Sequence, residues 1–404
     1  MDTSSLRYGH IMIMTDQDHD GSHIKGLIIN FLDHFFPSLL KIPEFLQEFI
    51  TPIIRATKRN ETKDFFTIPE YESFKERNEA NGITGWSIKY YKGLGTSTPK
   101  DAKYYFSNLD IHVKNFMTMT DSDKELIDLA FNKKKADNRK HWLSEYEPGT
   151  YLDQSVKNIS ITDFVNRELI LFSMADNVRS IPSVIDGFKP GQRKLVMLVS
   201  TLHIIMESSH CDLLDPDFKG IEPEHYVPII PMVLVNGADG IGTGWSTNIP
   251  NYNPLDIVAN IRNLIKGKEL VEMIPWYRNF RGEIIEQSSN KFVVNGVAEE
   301  CGTDISVMEL PVGTWTQNYK EYLEASLSNG TIKHFKENFT EKITFNLKLS
   351  TSLSTSNMVC FDKNGKIKRL ATLGDELVKA ENKARFIKAV TSGKLLEKMV
   401  KELT

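Results

Sequence analysis

Cysteine is scarce in this chain of 404 residues, and the three cysteines present lie far apart. Cys211, Cys301 and Cys360 are odd in number and match no zinc-ligand spacing, so we expect neither a disulfide framework nor a zinc site. Scarce, unpaired cysteines are typical of proteins in a reducing compartment, and we therefore expect an intracellular protein.

Long apolar runs are also missing. No segment approaches roughly 18 uncharged apolar residues, so no transmembrane helix is predicted. The first residues, MDTSSLRYGH, lack a basic region followed by an apolar one, so no signal peptide is predicted. An excess of positive charge is lacking too, because 49 Lys and Arg stand against 53 Asp and Glu. Nucleic-acid binding would therefore depend on local basic clusters.

The composition is that of a folded protein, with 40% hydrophobic and 25% charged residues. This excludes the collagen-like and disordered classes, and the length predicts two to three domains. Basic residues cluster in three places: NKKKADNRK at 132–140, DGFKPGQRK at 186–194, and the region from Lys363 to Thr404, which contains eleven Lys and Arg and five Asp and Glu. Each cluster is either a solvated face or a binding surface.

Strand and helix patterns alternate in the first part of the chain. A buried strand is predicted over 8–15, and a helix follows over 22–36. Its apolar face is predicted to be Ile24, Leu27, Ile28, Phe31, Leu32 and Phe35. Further elements are a strand at 48–57 broken by Pro52, a strand at 86–91, and a helix at 99–109. This alternation predicts an α/β domain over 1–120 with a mostly parallel sheet.

The rest of the chain is more varied. Residues 121–155 are predicted to be a helical connector, and a helix over 163–175 is predicted to be capped by Thr162 or Asp163. The remaining predictions are a helix after Pro190, a β-meander over 280–310, a helix over 315–327, a strand over 343–349, a hairpin around 362–365, and a Lys-rich helical tail from 374.

The acidic motif Asp16-Gln17-Asp18-His19-Asp20-Gly21 directly follows the first strand. Carboxylates at the carboxyl end of a strand in an open α/β sheet are typical Mg²⁺ ligands. A calcium-binding EF-hand loop is the rival interpretation, but its twelfth position is Leu27 instead of Glu and no helix precedes it. A solvated acidic turn stays open as the alternative.

Two glycine-rich motifs follow later. In KYYKGLGT, residues 89–96, glycines and lysines either cradle an anion or form a structural turn, and the spacing fits neither a P-loop nor a dinucleotide fingerprint. In NGADGIGTGW, residues 236–245, four glycines imply an unusual backbone. Ile241 among them is either a wedge that enters a base step or a core residue beneath the loop.

Five segments are informative together: MIMTDQDHDGSHIKG, KYYKGLGTST, DGFKPGQRK, VNGADGIGTGWST and ELPVGTWTQNYKE. In sequence and order they resemble eukaryotic type IIA DNA topoisomerases. The resemblance implies an α/β and α+β multidomain fold with a Rossmann-like TOPRIM domain (1–120), a linker (121–159), a partial winged-helix region (160–205), a β-rich tower (220–349) and a helical coiled-coil gate remnant (350–404). The regions are continuous here but lie on separate chains in the bacterial enzymes, which favours the eukaryotic type and a nuclear location.

The resemblance also implies roles for single residues. Asp16 and Asp18 match the family's Mg²⁺ ligands, and Asp20 matches the third acid of that motif. The implied DNA contacts are Arg139, Lys140 and Lys189, with Arg179 and Arg193 as neighbours. Ile241 matches the residue that intercalates and bends the DNA.

The implied activity is that of an ATP-hydrolysing, Mg²⁺-dependent homodimer that cleaves double-stranded DNA transiently, passes a second duplex and religates the break. The chain departs from the family in three ways. It lacks the N-terminal ATPase module, so the ATP site is expected outside it. It also lacks the glutamate upstream of Leu6 that completes the metal site, and the segment after Lys194 that carries the nucleophilic tyrosine.

No catalytic tyrosine is therefore named. The only Arg-Tyr pair, Arg7-Tyr8, leads into the first strand. The chain as written is expected to be inactive alone. The alternatives are a non-catalytic remnant that binds and bends DNA, and a TOPRIM-type metal-dependent nuclease. The tower motifs argue against the nuclease.

Overall fold

The computed structural model describes residues 6–59, 61–91, 93–197, 224–288, 290–301, 304–332, 335 and 349–370. The chain divides into two compact units, Met1–Asn177 with Gly242–Trp245, and Val178–Ile241 with Ser246–Thr404. The fold is a mixed α/β multidomain fold, as predicted. Among the described helices, none is long and apolar enough to cross a membrane. The finer domain boundaries stay predictions.

The first unit contains two sheets and most of the helices. Its strands are β1 (Ile11–Met14), β2 (Leu46–Phe49), β3 (Ile54–Lys58), β4 (Glu61–Phe65), β5 (Ser87–Tyr90), β6 (Val113–Phe116) and β7 (Asn158–Ile159). Its α-helices are α1 (His19–Phe35), α2 (Ile68–Ala80), α3 (Pro99–Ser107), α4 (Leu109–His112), α5 (Asp121–Phe131), α6 (Ala136–Ser144), α7 (Ile161–Phe164) and α8 (Ile170–Ser180), of which α8 ends in the second unit.

The main sheet has the order β1-β2-β6-β7. β1 and β2 are parallel, β6 and β7 are parallel, and β2 and β6 are antiparallel, so the predicted mostly parallel sheet is mixed. β1 was expected to be buried, but it lies at the edge of this sheet and only Ile13 in it is buried. Pro52 separates β2 from β3, which belongs to the antiparallel sheet β4-β3-β5.

Helix α1 confirms the predicted helix, but its buried face differs from the predicted one. Ile24, Leu27, Phe31 and Phe35 are exposed, and of the predicted apolar face only Leu32 is buried. The side that faces the core consists of Gly21, Ser22, Lys25, Gly26, Ile29 and Leu32. The face prediction was wrong because α1 is apolar on both sides and the buried side contains a charged residue.

That charged residue, Lys25, is the centre of a buried ion cluster. Its Nζ lies 2.7 Å from Glu48 Oε2 and 2.5 Å from Glu168 Oε1, and Ser22 Oγ donates to Glu168 Oε1 at 2.7 Å. Burial alone would lower the pKa of Lys25, but Glu168 and Glu48 outweigh it and raise the pKa above its usual value. Glu168 lies in a π-helical turn, Val165–Leu169, which interrupts the long helix between α7 and α8.

The predicted helical connector is confirmed as α5 and α6. The helix predicted over 163–175 exists but begins earlier. Ser160, and neither Thr162 nor Asp163, caps it by accepting a hydrogen bond from the Asp163 N–H at 2.9 Å. Helix α2 was not predicted, because its sequence is polar: Phe74 is its one buried residue, and Tyr71 packs beside it half-buried.

The second unit is richer in strands. It contains α9 (190–197), α10 (Met232–Asn236), β8 (Ala238–Ile241), β9 (Ser246–Ile249), α11 (Pro254–Ile265), β10 (Glu283–Ser288), β11 (Lys291–Asn295), β12 (Val297–Cys301), β13 (Asp304–Glu309), α12 (Thr316–Ser328), β14 (Ser350–Ser354), β15 (Val359–Phe361) and β16 (Ile367–Arg369).

The β-meander predicted over 280–310 is split between two sheets. β10 and β11 pair as expected, but β11 then pairs with β14, and β12 and β13 form a separate hairpin. The helix near 315–327 and the hairpin around 362–365 are confirmed as α12 and β15–β16. The strand predicted over 343–349, apart from its last residue, and the tail from 374 lie outside the described residues.

Candidate functional site

The acidic motif lies at the carboxyl end of β1. Asp16, Asp18 and Asp20 are all exposed. Asp18 is the N-cap of α1, because its Oδ1 accepts a hydrogen bond from the Gly21 N–H at 2.7 Å, and Asp20 lies in the first helical turn. The motif therefore lies between the carboxyl end of β1 and the start of α1, where the sequence placed it, and the convergence of its three carboxylates stays a prediction.

The donor chemistry of this motif fits Mg²⁺. Within the described part of the chain, no three His, Cys, Asp and Glu side chains form a ready metal site. Mg²⁺ is commonly held by one or two carboxylates and keeps several waters or phosphate oxygens. The exposed pair Asp16 and Asp18 meets that minimal requirement, and further ligands would have to come from outside the motif.

The second motif of the sequence lies beside the first. A Cβ placed on Gly93 would lie 2.6 Å from Asp16 Oδ2, 2.8 Å from Cγ and 2.9 Å from Oδ1. The carboxyl group of Asp16 therefore occupies the space that a side chain at position 93 would fill. The sequence predicts the two motifs as separate sites, because nothing in their spacing along the chain shows that they meet.

The ends of the glycine-rich turn are held by a cluster that the sequence did not reveal. Asp101, at the start of α3, accepts hydrogen bonds from Arg55 Nη1 at 2.5 Å, Lys89 Nζ at 3.3 Å and Tyr91 Oη at 3.4 Å. Burial alone would raise the pKa of Asp101, but hydrogen bonds from Thr98 and Lys89 and the charge of Arg55 lower it well below its usual value. Lys89 is thus engaged with Asp101, and the choice between an anion cradle and a structural turn stays open.

The third motif forms the tip of the β8–β9 hairpin, and within the first unit this tip packs on α6. Gly244 has a φ of +75°, which favours glycine, and a Cβ there would lie 3.3 Å from Arg139 Cβ. Lys140 Nζ lies 4.7 Å from the centre of the Trp245 ring, within cation–π distance. The Asn177 amide donates to the Thr243 carbonyl at 3.0 Å. The structure therefore joins the glycine motif to the predicted contacts Arg139 and Lys140.

These two basic residues have different surroundings. Arg139 Nη1 donates to the carbonyls of Leu129 at 3.1 Å and Asn132 at 2.6 Å, so its guanidinium closes the end of α5, and burial lowers its pKa. The Lys140 side chain is 35% exposed and pairs with the exposed Asp137 at 2.7 Å. The geometry favours a structural role for Arg139 and leaves Lys140 accessible.

In the second unit, Lys189 lies beside strand β8. Its Nζ donates to the Asp239 carbonyl at 2.5 Å. A Cβ on Gly240 would clash with the Ser180 carbonyl oxygen, so only glycine permits this close approach. Ile241, the last residue of β8, is 82% exposed. The interpretation of Ile241 as a core residue beneath the loop is therefore wrong.

Arg193, the last of the predicted DNA contacts along the chain, is an internal residue. Its side chain is 11% exposed and its Nε lies 2.7 Å from Asp186 Oδ2, with Asp186 fully buried. Burial alone would raise the pKa of Asp186, but hydrogen bonds from Arg193 and from the N–H groups of Phe188 and Tyr226 lower it. This placement favours a structural role for Arg193, whereas Arg179 is exposed.

Two protein-family models match the chain. The C-terminal associated domain of TOPRIM matches residues 49–177. The model of the A-type chain of DNA gyrase/topoisomerase IV matches residues 206–368. The two matches cover most of the chain between them and follow each other in the order that the sequence motifs indicated.

Curated relatives and a solved structure match most of the chain. DNA topoisomerase 2 of Arabidopsis thaliana is 41% identical over 530 residues, which include 97% of this chain and 36% of the relative. DNA topoisomerase 2 of Saccharomyces cerevisiae is 42% identical over 93% of this chain and 34% of the relative. The crystal structure of the Plasmodium falciparum topoisomerase II DNA-binding, cleavage and re-ligation domain superposes with a TM-score of 0.65 at 36% identity, over 99% of this chain and 69% of that one.

The chain spans about a third of the length of the curated relatives it matches. The Arabidopsis match is 530 residues long although this chain has 404, so the relative contains more than a hundred residues in that span without a counterpart here.

Proposed function

The chain belongs to the type II DNA topoisomerase family, and we propose that it forms part of the DNA-cleavage core of such an enzyme. In this proposal residues 1–120 are a TOPRIM domain and 121–159 a linker. Residues 160–205 are a partial winged-helix region, 220–349 a tower and 350–404 a gate remnant. The proposal rests on the order of the motifs and on the matches to both family models.

The exposed side chain of Ile241 is the single observation that carries the proposed action on DNA. An isoleucine that is 82% exposed at the end of a strand contributes little to the core, but it can enter a base step and kink the duplex. Gly240, the residue before Ile241, lies close to the Ser180 carbonyl, and this close approach holds the end of β8 in place. We therefore assign Ile241 to DNA intercalation and bending.

Lysine and arginine side chains supply the proposed contacts to the phosphate backbone of DNA. Lys189 lies beside β8, which ends in Ile241, and Lys140 and Arg179 are accessible. Contacts of this type neutralise phosphates and fix the position of the duplex without reading its sequence. Arg139 and Arg193 are each given a structural role, because their guanidinium groups are engaged with the protein.

Asp16 and Asp18 are the proposed Mg²⁺ ligands, with Asp20 as the third acid of the motif. When bound, Mg²⁺ would stabilise negative charge on phosphate oxygens during cleavage and religation. The chain's own contribution is to hold two carboxylates at the end of β1, one of them fixed by the N-cap of α1 and the other placed against Gly93.

The proposed setting is that of the family. The partner is double-stranded DNA, the assembly is a homodimer, the location is the nucleus, and ATP is hydrolysed elsewhere in the whole enzyme. In the family's reaction a tyrosine attacks a DNA phosphodiester and stays joined to the 5′ phosphate while a second duplex passes. Each protomer of the dimer cuts one strand.

A second candidate function is non-catalytic DNA binding and bending. It is favoured by the absence of any tyrosine in the sequence between Lys189 and Tyr226. Tyr226 itself is held in the second unit, since its N–H donates to Asp186 Oδ2 at 3.1 Å. A covalent DNA–protein adduct would separate this candidate from the catalytic one. A TOPRIM-type nuclease is disfavoured, because the match over 206–368 extends beyond a TOPRIM domain.

Replacing the lysines proposed as phosphate contacts should weaken DNA binding in a salt-dependent manner. Binding to a short duplex should weaken in Lys140→Ala and Lys189→Ala, and the slope of log affinity against log salt should fall by about 0.9 for each lost phosphate contact. Fluorescence anisotropy over a series of salt concentrations measures both quantities. Arg139→Ala should change the slope less, because its guanidinium binds backbone carbonyls.

The matched control is Lys75→Ala, which removes a lysine of α2 that is 59% exposed and lies outside the proposed interface. This control should bind DNA like the unchanged chain. Slopes that are unchanged in both Lys140→Ala and Lys189→Ala, or reduced equally in the control, would contradict the proposed contacts.

A further inference from the structure

Gly93 has an ordinary backbone conformation, so its lack of a side chain needs another explanation. It is not among the residues with a positive φ, and alanine would therefore adopt its backbone without strain. The three nearest atoms to an added Cβ all belong to the Asp16 carboxyl group. A side chain at position 93 would therefore meet the Asp16 carboxyl group first.

Neighbouring Gly95 shows the contrast within the same turn. A Cβ on Gly95 would meet no atom within 4 Å. It is also absent from the residues with a positive φ. Of these two glycines of one motif, Gly93 has the acidic motif where a side chain would lie, whereas Gly95 has open space there.

The turn that carries Gly93 is fixed on both sides. Before it, the Tyr91 N–H donates to the Ile53 carbonyl at 2.8 Å and the Tyr91 hydroxyl contacts Asp101. After it, Thr96 donates to the Gly93 carbonyl through its N–H at 3.0 Å and its hydroxyl at 2.7 Å. With the backbone held in this way, an added side chain would displace the short side chain of Asp16 and leave the turn in place.

We propose that Gly93 is a positioning residue for Asp16: its missing side chain creates the space in which the carboxylate adopts the orientation needed to bind Mg²⁺. This inference rests on the proposed role of Asp16 as a Mg²⁺ ligand. It assigns the KYYKGLGT motif to the metal site, where the sequence left an anion cradle and a structural turn open.

The expected loss of Mg²⁺ affinity depends on how far the Asp16 carboxylate is displaced. An ordinary van der Waals contact begins at 3.4 Å, whereas the added Cβ would lie 2.6 Å from Asp16 Oδ2, so the oxygen must move by about 0.8 Å. Ligand distances in metal sites are held to about 0.2 Å, and Mg²⁺ demands near-ideal geometry. Loss of such a supporting contact typically lowers metal affinity by about 10- to 100-fold.

The experiment compares four variants of the full 404-residue chain: Gly93→Ala, Gly95→Ala, Asp16→Asn, and the double variant Gly93→Ala/Asp16→Asn. Mg²⁺ binding is measured by calorimetric titration with the metal alone, and folding by thermal melting. Gly93→Ala should lower Mg²⁺ affinity about tenfold or more. Its melting temperature should equal that of Gly95→Ala. The Gly95→Ala chain should bind Mg²⁺ like the unchanged chain. In the Asp16→Asn background, Gly93→Ala should have no further effect.

If Asp16→Asn binds Mg²⁺ like the unchanged chain, the proposed metal site itself is wrong. If Asp16→Asn loses affinity but Gly93→Ala does not, the metal site stands and the role of Gly93 is refuted. A Gly93→Ala chain that melts well below Gly95→Ala, or that weakens binding equally in the Asp16→Asn background, would show that the glycine serves the fold and overturn the inference.

Discussion

The purified 404-residue chain is expected to leave supercoiled plasmid DNA unrelaxed, with or without ATP and Mg²⁺. The family's nucleophilic tyrosine belongs to a segment between the helix that begins at Pro190 and the tower, and no tyrosine occurs between Lys189 and Tyr226. Without a nucleophile no covalent bond to the DNA phosphate forms. The activity should therefore be lost completely, and this is the largest effect that the account predicts.

Gel electrophoresis of the plasmid measures relaxation, and denaturing electrophoresis with labelled DNA detects a covalent adduct. The positive control is the Saccharomyces cerevisiae relative, assayed in the same buffer. Relaxation or an adduct formed by this chain would show that another residue supplies the nucleophile. Tyr8, 68% exposed in the only Arg-Tyr pair, would then be the first to replace by Phe.

Replacing Lys25 by Met should destabilise the first unit by about 3–5 kcal/mol, because Glu48 and Glu168 would be left buried without their cation. Lys25 is 3% exposed, and Glu48 Oε1 and Glu168 Oε2 have no hydrogen-bond partner among the described residues. Urea denaturation followed through Trp142, which lies in the same core, measures this loss.

Two comparisons make the test specific to the buried cluster. Lys75→Met removes an exposed lysine that lies 3.8 Å from Glu79, and such pairs contribute about 0–1 kcal/mol. The triple variant Lys25→Met/Glu48→Gln/Glu168→Gln should lose less stability than Lys25→Met, because the two carboxylates are neutralised together with their cation. A triple variant less stable than Lys25→Met, or a Lys25→Met chain as stable as Lys75→Met, would contradict this explanation.

The sequence predicted the existence of most elements better than their surroundings. The strand before Asp16 and the helix after it were both predicted to exist, because apolar patterns are local signals, but the strand is less buried than expected and the helix begins earlier, at His19. The buried face of that helix was not, because Lys25 is buried only through Glu48 and Glu168, which lie 23 and 143 positions further along the chain. Periodicity counts apolar residues and cannot detect a buried ion cluster of this kind.

Some of what was missed had a signal in the sequence. Helix α2 begins with a capping box of Thr67 and Glu70 and has Pro69 in its first turn. These are ordinary markers of a helix start. The polar character of the segment obscured them, since α2 contributes only Phe74 and the half-buried Tyr71 to the core. The pairing of β11 with β14 had no such signal, because the two strands are separated by a hairpin and a helix.

For the candidate site, residue types were easier to predict than their partners. The acidic motif and the exposed isoleucine were identified from the sequence, and exposure of Ile241 at 82% now excludes the core alternative. Arg139 and Arg193 illustrate the limit. Their charge suggested contacts with DNA, but the carbonyl groups around Arg139 and the buried Asp186 beside Arg193 are set by the tertiary fold.

Bending of DNA by this chain, with Ile241 as the wedge, is measured by fluorescence resonance energy transfer between dyes at the two ends of a duplex of about 30 base pairs. Ile241→Ala should bind with an unchanged salt slope and melt like the unchanged chain, yet bend the duplex less, because the apolar wedge that offsets unstacking is gone. Ile274→Ala, which truncates another exposed isoleucine, should bend DNA normally. Normal bending by Ile241→Ala, at equal saturation of the duplex, would contradict the account.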